Sequence, residues 1–169
     1  MKYCPECASP LQERIVDDVP RRACKPLCGF VHWDNPIPVA AGLVSLGGRF
    51  VLARNARWPV GLFSMITGFV ERHETPEQTL LRETTEELGL TGRAAHFIGH
   101  YTLERPNQLI VAFHVEAEGV VAPGDEIAEV QLVGPDELAR FDFGPLALTA
   151  RVVRDFLKPA TDPRPKAGR

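Results

Sequence analysis

Closely spaced glutamates are the first residues of this chain whose type and spacing could do chemistry. Glu83, Glu86 and Glu87 have helical spacing. Because successive residues of an α-helix step about 100° around its axis, the three carboxylates project over one arc roughly 100° wide. Like charges on neighbouring turns repel each other by a few tenths of a kcal/mol per pair. The cluster is therefore either a solvated acidic face or one wall of a site for a hard divalent cation such as Mg²⁺, which prefers oxygen ligands.

A short amphipathic helix is predicted to position these carboxylates. Thr75 can cap its first turn, Pro76 suits the first helical position, and Gln78 completes a capping box. Gly89 is typical of the residue that follows a last helical turn. The face expected to be buried, away from the carboxylates, consists of Leu80, Leu81, Thr84 and Leu88. A glycine-containing turn precedes this helix and could bring backbone close to a ligand.

The whole stretch, residues 68–90, matches a known motif. Its sequence GFVERHETPEQTLLRETTEELGL fits the Nudix box, G-x5-E-x7-R-E-U-x-E-E-x-G-U, where U is apolar. All charged and glycine positions are filled, and only Thr84 stands where an aliphatic residue is usual. The chain thus resembles Nudix hydrolases, which cleave a nucleoside diphosphate linked to another group, X. The resemblance implies an α+β fold, an α-β-α sandwich with a mixed β-sheet.

The resemblance also implies roles for the residues of the box. Glu83, Glu86 and Glu87 are expected to be catalytic and to bind Mg²⁺ or Mn²⁺, joined by the carbonyl group of Gly68. A supporting ion pair is expected to hold the helix against its loop, and it is formed by Glu74 and Arg82.

A fourth carboxylate often comes from outside the box in this family. The segment PGDEIAEV resembles the family's downstream E-x-x-E-x-x-W region, although Leu132 replaces the aromatic residue. We expect Glu126 to supply this catalytic, metal-binding carboxylate, with Glu129 as the rival and solvated surface glutamates as the alternative. The general base stays open among the box glutamates and Glu126.

Residues outside the box are expected to bind substrate. Arg54 and Arg57 precede it in a loop, and their guanidinium groups match phosphate geometry, although solvated arginines are the alternative. Aromatic residues that could stack on a base, or else belong to the core, are Phe63, Tyr101 and Phe113. Glu71 is a further candidate because it ends the G-F-V-E start of the box.

The identity of X depends on a comparison of two branches of the family. NADH pyrophosphatases share a zinc ribbon and the G-F-V-E start, but they carry an S-Q-P-W-P-F-P-x-S signature after the box. Residues 100–108 have the sequence HYTLERPNQ instead. The rest of the chain is more similar to ADP-ribose or FAD pyrophosphatases, so we expect AMP release from such a small dinucleotide. NADH or the NAD cap of an RNA 5′ end is the alternative substrate.

All four cysteines lie near the N-terminus, in two knuckles. Cys4 and Cys7 form the first, and Cys24 and Cys28 form the second, 16 residues later. This spacing predicts a Cys4 zinc ribbon whose closed site is structural. Disulfides or free thiols are the alternatives. Acidic and basic residues balance over residues 1–34, which favours a structural or dimerising role over RNA binding, and we expect a homodimer.

Composition sets the remaining bounds. The chain has 169 residues, 44% hydrophobic and 24% charged, and a net charge of −3, so it is globular and no nucleic-acid partner is expected. No apolar run could span a bilayer, and the N-terminus lacks a signal-peptide core, so we expect a cytoplasmic location.

The expected domains are a ribbon (1–35), a Nudix domain (36–158) and a disordered tail (159–169). The alternative to an enzyme is a nucleotide sensor or an RNA-binding regulator that catalyses no reaction.

The pattern of apolar residues predicts the other elements of the second domain. A β-hairpin is expected over residues 39–54 around Gly47-Gly48, followed by a strand over 65–70 that is broken at Gly68. Further strands are expected over 94–103, 109–116 and 126–132. A helical turn over 135–140 and a helix over 145–157 complete the prediction.

Overall fold

The structure, a computed structural model, describes residues 1–25 and 28–158, which form two compact units that meet in sequence at Pro36 and Ile37. The expected disordered tail lies outside the described residues. Among the described residues, no helix combines the length and the apolar character needed to cross a membrane.

The N-terminal unit is a small antiparallel sheet. Its strands are β1 (Gln12–Val16), β2 (Val19–Ala23) and β3 (Val31–His32), in the order β1-β2-β3. Among its described residues, the buried cluster consists of Cys4, Leu11 and Cys24, with Cys28 and Phe30 partly buried against it. Such a small apolar core does not stabilise a unit of this size, so the fold needs a cross-link or a metal.

The second unit is built on one mixed β-sheet. Its strands are β4 (Ile37–Leu46), β5 (Arg49–Asn55), β6 (Ile66–Phe69), β7 (Thr91–Leu103), β8 (Gln108–Glu118) and β9 (Ile127–Val133). The order is β7-β8-β4-β5-β9, and β6 pairs with β4. Strands β4 and β8 are parallel, whereas the other pairs are antiparallel. The described helices are α1 (Pro76–Leu88), α2 (Pro135–Leu138) and α3 (Ala147–Leu157).

Alternating side chains of β4 show that helices cover both faces of this sheet. Ala40 and Val44 belong to the cluster that contains Leu80 of α1. Their neighbours Ala41 and Leu43 pack in the clusters of α3, which contain Val152 and Val153. Because side chains of a strand point alternately to opposite faces, α1 lies on one face and α3 on the other. The expected α-β-α sandwich is confirmed.

Helix α1 has the ends that its sequence predicts. The Thr75 hydroxyl accepts a hydrogen bond from the Gln78 N–H, and the Gln78 side chain accepts one from the Thr75 N–H. Gly89 caps the C-terminus with φ = 67°. Thr84 is completely buried, and its hydroxyl donates to the Leu80 carbonyl at 2.7 Å, so the polar residue of the box is satisfied inside the core.

Strand β6 differs from the prediction. It continues through Gly68, which pairs with Ala40 of β4, so the expected break at this glycine is wrong. The glycine serves close packing instead, because a Cβ atom at Gly68 would overlap the Glu83 carboxylate. Strand β7 starts at Thr91, before the predicted residue 94, and α3 starts at Ala147, after the predicted residue 145.

Candidate active site

One cavity of about 430 Å³ collects the predicted carboxylates. Its lining residues are Thr67, Gly68, Phe69, Glu83, Glu86, Glu87, Gly124, Asp125 and Glu126. The three box glutamates and Gly68 are therefore brought together with Glu126, a residue distant from them in sequence.

Backbone contacts place Glu126 opposite the helix. The segment before β9 is hydrogen-bonded to the end of α1, since the Ala122 N–H donates to the Leu88 carbonyl at 2.8 Å and the Gly124 N–H donates to the Glu87 carbonyl at 3.0 Å. A Cβ atom at Gly124 would overlap a carbonyl oxygen of α1. Glycine at this position thus allows the loop to approach the helix and to carry Glu126 to the cavity.

Arg82 fixes the orientation of the carboxylates. Its guanidinium forms a fork with Glu74, with Nε donating to Oε1 at 2.9 Å and Nη2 donating to Oε2 at 3.1 Å. Its Nη1 donates to Glu83 at 2.8 Å and to Glu86 at 3.0 Å. The same group also reaches the Phe69 carbonyl at 3.4 Å. The expected Glu74–Arg82 pair exists, and it extends to two of the cavity glutamates.

The electrostatics of the cavity favour a cation. Burial, together with the charges of Glu83, Glu126 and Glu86, raises the pKa of Glu87 to about 7. Burial likewise raises the pKa of Glu83, although Arg82 opposes this shift. By contrast, the hydrogen bonds of Arg82 lower the pKa of Glu74 to about 2. Crowded carboxylates with raised pKa values are an oxygen donor set that fits a hard divalent cation.

The predicted arginines do not line this cavity. The Arg54 side chain, 12% exposed, is paired with Glu129, its Nε lying 2.6 Å from Oε2, and its Nη1 donates to the Trp58 carbonyl at 3.2 Å. Arg54 lies in β5 and not in the expected loop, whereas Arg57 is exposed in the loop that follows this strand. Glu129, the rival candidate for the fourth carboxylate, is therefore paired with Arg54 outside the cavity.

The predicted aromatic residues belong to the core. Tyr101 is 4% exposed, and its hydroxyl donates to Asp155 of α3 at 3.1 Å, so stacking on substrate is not supported for this residue. Phe63 packs edge-on against Phe141 on the face of the sheet that α3 covers. Phe113 is buried on the opposite face, which α1 covers. Glu71 is exposed and lies outside the lining, and its described contacts are backbone hydrogen bonds to Glu74.

Two exposed aromatic residues near the carboxylates were missed by sequence reasoning. Phe69 is 58% exposed and lines the acidic cavity, and Trp58 is 36% exposed in the loop after β5. The alternation of β6, in which Gly68 faces inward, could have identified Phe69 as outward-facing. No periodic signal exists for Trp58, because its loop has no regular structure.

The four cysteines form a separate centre in the N-terminal unit. Their sulfur atoms all lie within 4.8 Å of one another, with 3.6 Å between Cys4 and Cys28 and 3.4 Å between Cys7 and Cys24. These separations are too long for disulfides. They are close to the roughly 3.8 Å edge of a tetrahedron with Zn–S bonds of about 2.3 Å. The thiols therefore fit structural Zn²⁺, as the spacing predicts.

Comparisons with known proteins agree with both units. The profile of the NUDIX domain matches residues 36–154, and that of the N-terminal zinc ribbon of Nudix proteins matches residues 2–34. A crystal structure of a NUDIX hydrolase from Nitrosomonas europaea superposes with a TM-score of 0.71 at 29% identity, covering 81% of this chain and 80% of that chain.

Curated relatives are similar over most of this chain. The protein named NAD-capped RNA hydrolase NudC of Stutzerimonas stutzeri is 31% identical over 81% of this chain and 49% of its own length. The protein of the same name from Mycobacterium bovis is 36% identical over 80% of this chain and 38% of its own length. The chain thus spans about half the length, or less, of these relatives. Because the NUDIX profile covers more than half of the sequence, the chain belongs to the Nudix family.

Proposed function

We propose that this chain is a divalent-cation-dependent hydrolase of the diphosphate bond in a nucleoside diphosphate linked to X. One observation carries the proposal: carboxylates from α1 and from the loop before β9 converge on a single cavity that can take substrate phosphates. In this proposal Glu83, Glu86, Glu87 and Glu126 hold Mg²⁺ or Mn²⁺, assisted by the Gly68 carbonyl.

The chain's own residues position the reacting groups and move the proton. A bound cation would neutralise the diphosphate and lower the pKa of a water molecule. Arg82 and Glu74 keep the carboxylates in place, so little reorganisation is needed when substrate arrives. One of the cavity glutamates accepts the proton of the attacking water, and the leaving group is a nucleoside monophosphate such as AMP.

A small dinucleotide, ADP-ribose or FAD, is the substrate class that we propose. The region that differs from the NADH pyrophosphatase signature supports this choice. Residues 104–107 form a tight turn, with the Asn107 N–H donating to the Glu104 carbonyl at 3.0 Å, and they join β7 directly to β8. The stretch that stands in place of the signature therefore forms the end of β7 and a turn, and it contains neither tryptophan nor phenylalanine.

A second candidate substrate is NAD-capped RNA, and the names of the curated relatives favour it. NADH belongs with this alternative.

We also propose a homodimer, as the ribbon and the family resemblance suggest, which light scattering of the purified chain would test.

A substrate panel tests the proposed function. The purified full chain is incubated with ADP-ribose, FAD, NADH and a NAD-capped RNA oligonucleotide, with and without Mg²⁺ or Mn²⁺. We expect metal-dependent AMP release, fastest from ADP-ribose or FAD. Preferred cleavage of the capped RNA would establish the second candidate. Tight ADP-ribose binding without product from any substrate would overturn hydrolysis and indicate a nucleotide sensor.

A further inference from the structure

A smaller recess of about 190 Å³ adjoins the acidic cavity. Its lining residues are Ala53, Asn55, Trp58, Met65, Ile66, Thr67, Glu87, Glu126 and Ile127. Thr67, Glu87 and Glu126 line both spaces, so the recess opens beside two of the proposed metal ligands.

Strand β6 connects the two spaces. Met65, just before the strand, and Ile66, its first residue, line the recess, whereas Gly68 and Phe69, at its end, line the acidic cavity. Thr67 stands at the border. A ligand whose diphosphate lies over the carboxylates can therefore extend along β6 and place its next group in the recess.

The recess suits a flat group with apolar faces. Ala53, Met65, Ile66 and Ile127 contribute buried apolar surface, and the indole of Trp58 is left 36% exposed beside them. None of the described lining residues is a lysine or arginine, so the recess offers no cation to a free phosphate. Its polar side chains are the two shared carboxylates, Asn55 and Thr67.

The loop that carries Trp58 is held in position. The Trp58 N–H donates to the Asn55 carbonyl at 2.9 Å, and Arg54, which is paired with Glu129, donates to the Trp58 carbonyl at 3.2 Å. The Ala56 N–H donates to the Glu126 carbonyl at 2.8 Å. The loop of Trp58 is thus tied through Ala56 to Glu126, the proposed fourth carboxylate, and binding loses little entropy through ordering of this loop.

We propose that Trp58 stacks on the planar aromatic ring of the substrate nucleoside and that the recess is the subsite for this ring. The inference rests on the proposed function and deepens it, because it names the residue that selects substrates with an aromatic base. Arg54, expected from the sequence to bind phosphate, becomes a positioning residue that supports the loop of Trp58.

Steady-state kinetics with ADP-ribose tests this assignment. Stacking of a base on an aromatic side chain contributes binding free energy that Trp58→Ala would remove. We therefore expect Trp58→Ala to raise KM by about 10-fold or more, with little change in kcat. Trp58→Phe should restore most of the affinity. Val60→Ala is the matched control, since Val60 lies in the same loop, is 86% exposed and lines neither space. An unchanged KM in Trp58→Ala would overturn the subsite while leaving hydrolysis intact.

Fluorescence separates ring binding from turnover. In a Trp33→Phe variant, Trp58 is the only tryptophan of the chain. We expect AMP with Mg²⁺ to quench its emission and ribose 5-phosphate, which has the phosphate but no base, to leave it unchanged. Equal quenching by both would overturn the ring assignment. Quenching by AMP in a protein that cleaves no dinucleotide would uphold the subsite and refute the proposed hydrolysis.

Discussion

Arg82 shows how one side chain organises a site made of like charges. Its guanidinium contacts Glu74, Glu83 and Glu86 and is only 25% exposed, so it offsets part of their mutual repulsion before any cation arrives. A lysine at this position would offer a point charge without the planar fork. The pair with Glu74 also holds the start of the box against α1, which exposed ion pairs rarely achieve.

Glu87→Gln tests the metal assignment. We expect turnover to fall by at least about 100-fold, because even groups that only support a metal ligand are worth 10–100-fold in affinity or activity. The fold should persist, since the substitution removes a charge that burial disfavours. Activity with Mg²⁺ and the circular dichroism spectrum are the measurements. Glu77→Gln, on the exposed first turn of α1, is the control; wild-type rates in Glu87→Gln would refute the role of this residue.

The raised pKa of Glu87 predicts a pH dependence of stability. The pKa rises from 4.5 to about 7 on folding, so the folded state favours the protonated acid. The associated stability is present below pH 4.5 and is lost as the pH rises through 7. Without added Mg²⁺, Tm should therefore fall between pH 5 and 8, by about 2–4 °C for each kcal/mol.

Differential scanning fluorimetry of the wild type and of Glu87→Gln measures this effect. The variant should show a smaller fall over the same pH range, because it lacks the titrating group. Added Mg²⁺ should restore the wild-type Tm at pH 8. Parallel pH curves for the two proteins would contradict the assignment to Glu87.

At the scale of elements, α1 could be predicted from sequence almost residue by residue. Its capping box, its initial proline and the glycine after it are local signals, and they agree with the structure from Pro76 to Leu88. The prediction that Glu126 lies beside this helix required the family resemblance. The hydrogen bonds that bring the two together join residues distant in sequence, which local sequence signals do not reveal.

Other features could not be predicted because they depend on tertiary packing. A glycine within an apolar segment indicates either a break in the strand or the close approach of another group to the backbone. At Gly68 the structure shows the second, because the Glu83 side chain packs against it. Strand periodicity places residues on two faces but does not say which face a helix covers. Tyr101 was therefore expected at the substrate, although α3 buries it, and Trp58 was missed.

Gly68→Ala tests the fit between β6 and α1. The added methyl group would overlap the Glu83 carboxylate, so either the strand or the helix must move. We expect a loss of about 1–3 kcal/mol in the free energy of unfolding and a clear loss of activity. Urea denaturation and the hydrolysis assay measure both.

Gly134→Ala is the matched control, because a Cβ atom at Gly134 meets nothing within 4 Å and its φ of −74° suits alanine. Equal stability and activity in both alanine variants would show that the close approach at Gly68 is unimportant.

At the scale of the whole molecule, two units depend on different stabilising forces. The C-terminal unit has buried clusters on both faces of its sheet, whereas the N-terminal unit has a minimal apolar cluster that includes two of the cysteines. We therefore expect a structural zinc ion to supply folding free energy to the N-terminal unit alone.

Cys24→Ser tests this difference. We expect the variant to lose bound zinc, measured by atomic emission, and to unfold residues 1–36, measured by limited proteolysis. The C-terminal unit should keep its helical circular dichroism signal. Retention of one zinc ion per chain with an intact N-terminal unit would contradict the four-thiolate site.

The shared contacts of Arg82 have one more consequence for the molecule. Glu83 and Glu86 are partners of this guanidinium and are also proposed ligands of the cation, while Glu74 connects the same guanidinium to the start of the box. We therefore expect occupancy of the proposed metal site and order of the box loop to be thermodynamically linked, and by reciprocity each would change the free energy of the other by the same amount. Substitutions far from the phosphates, at Glu74 for example, would change metal affinity without altering any ligand.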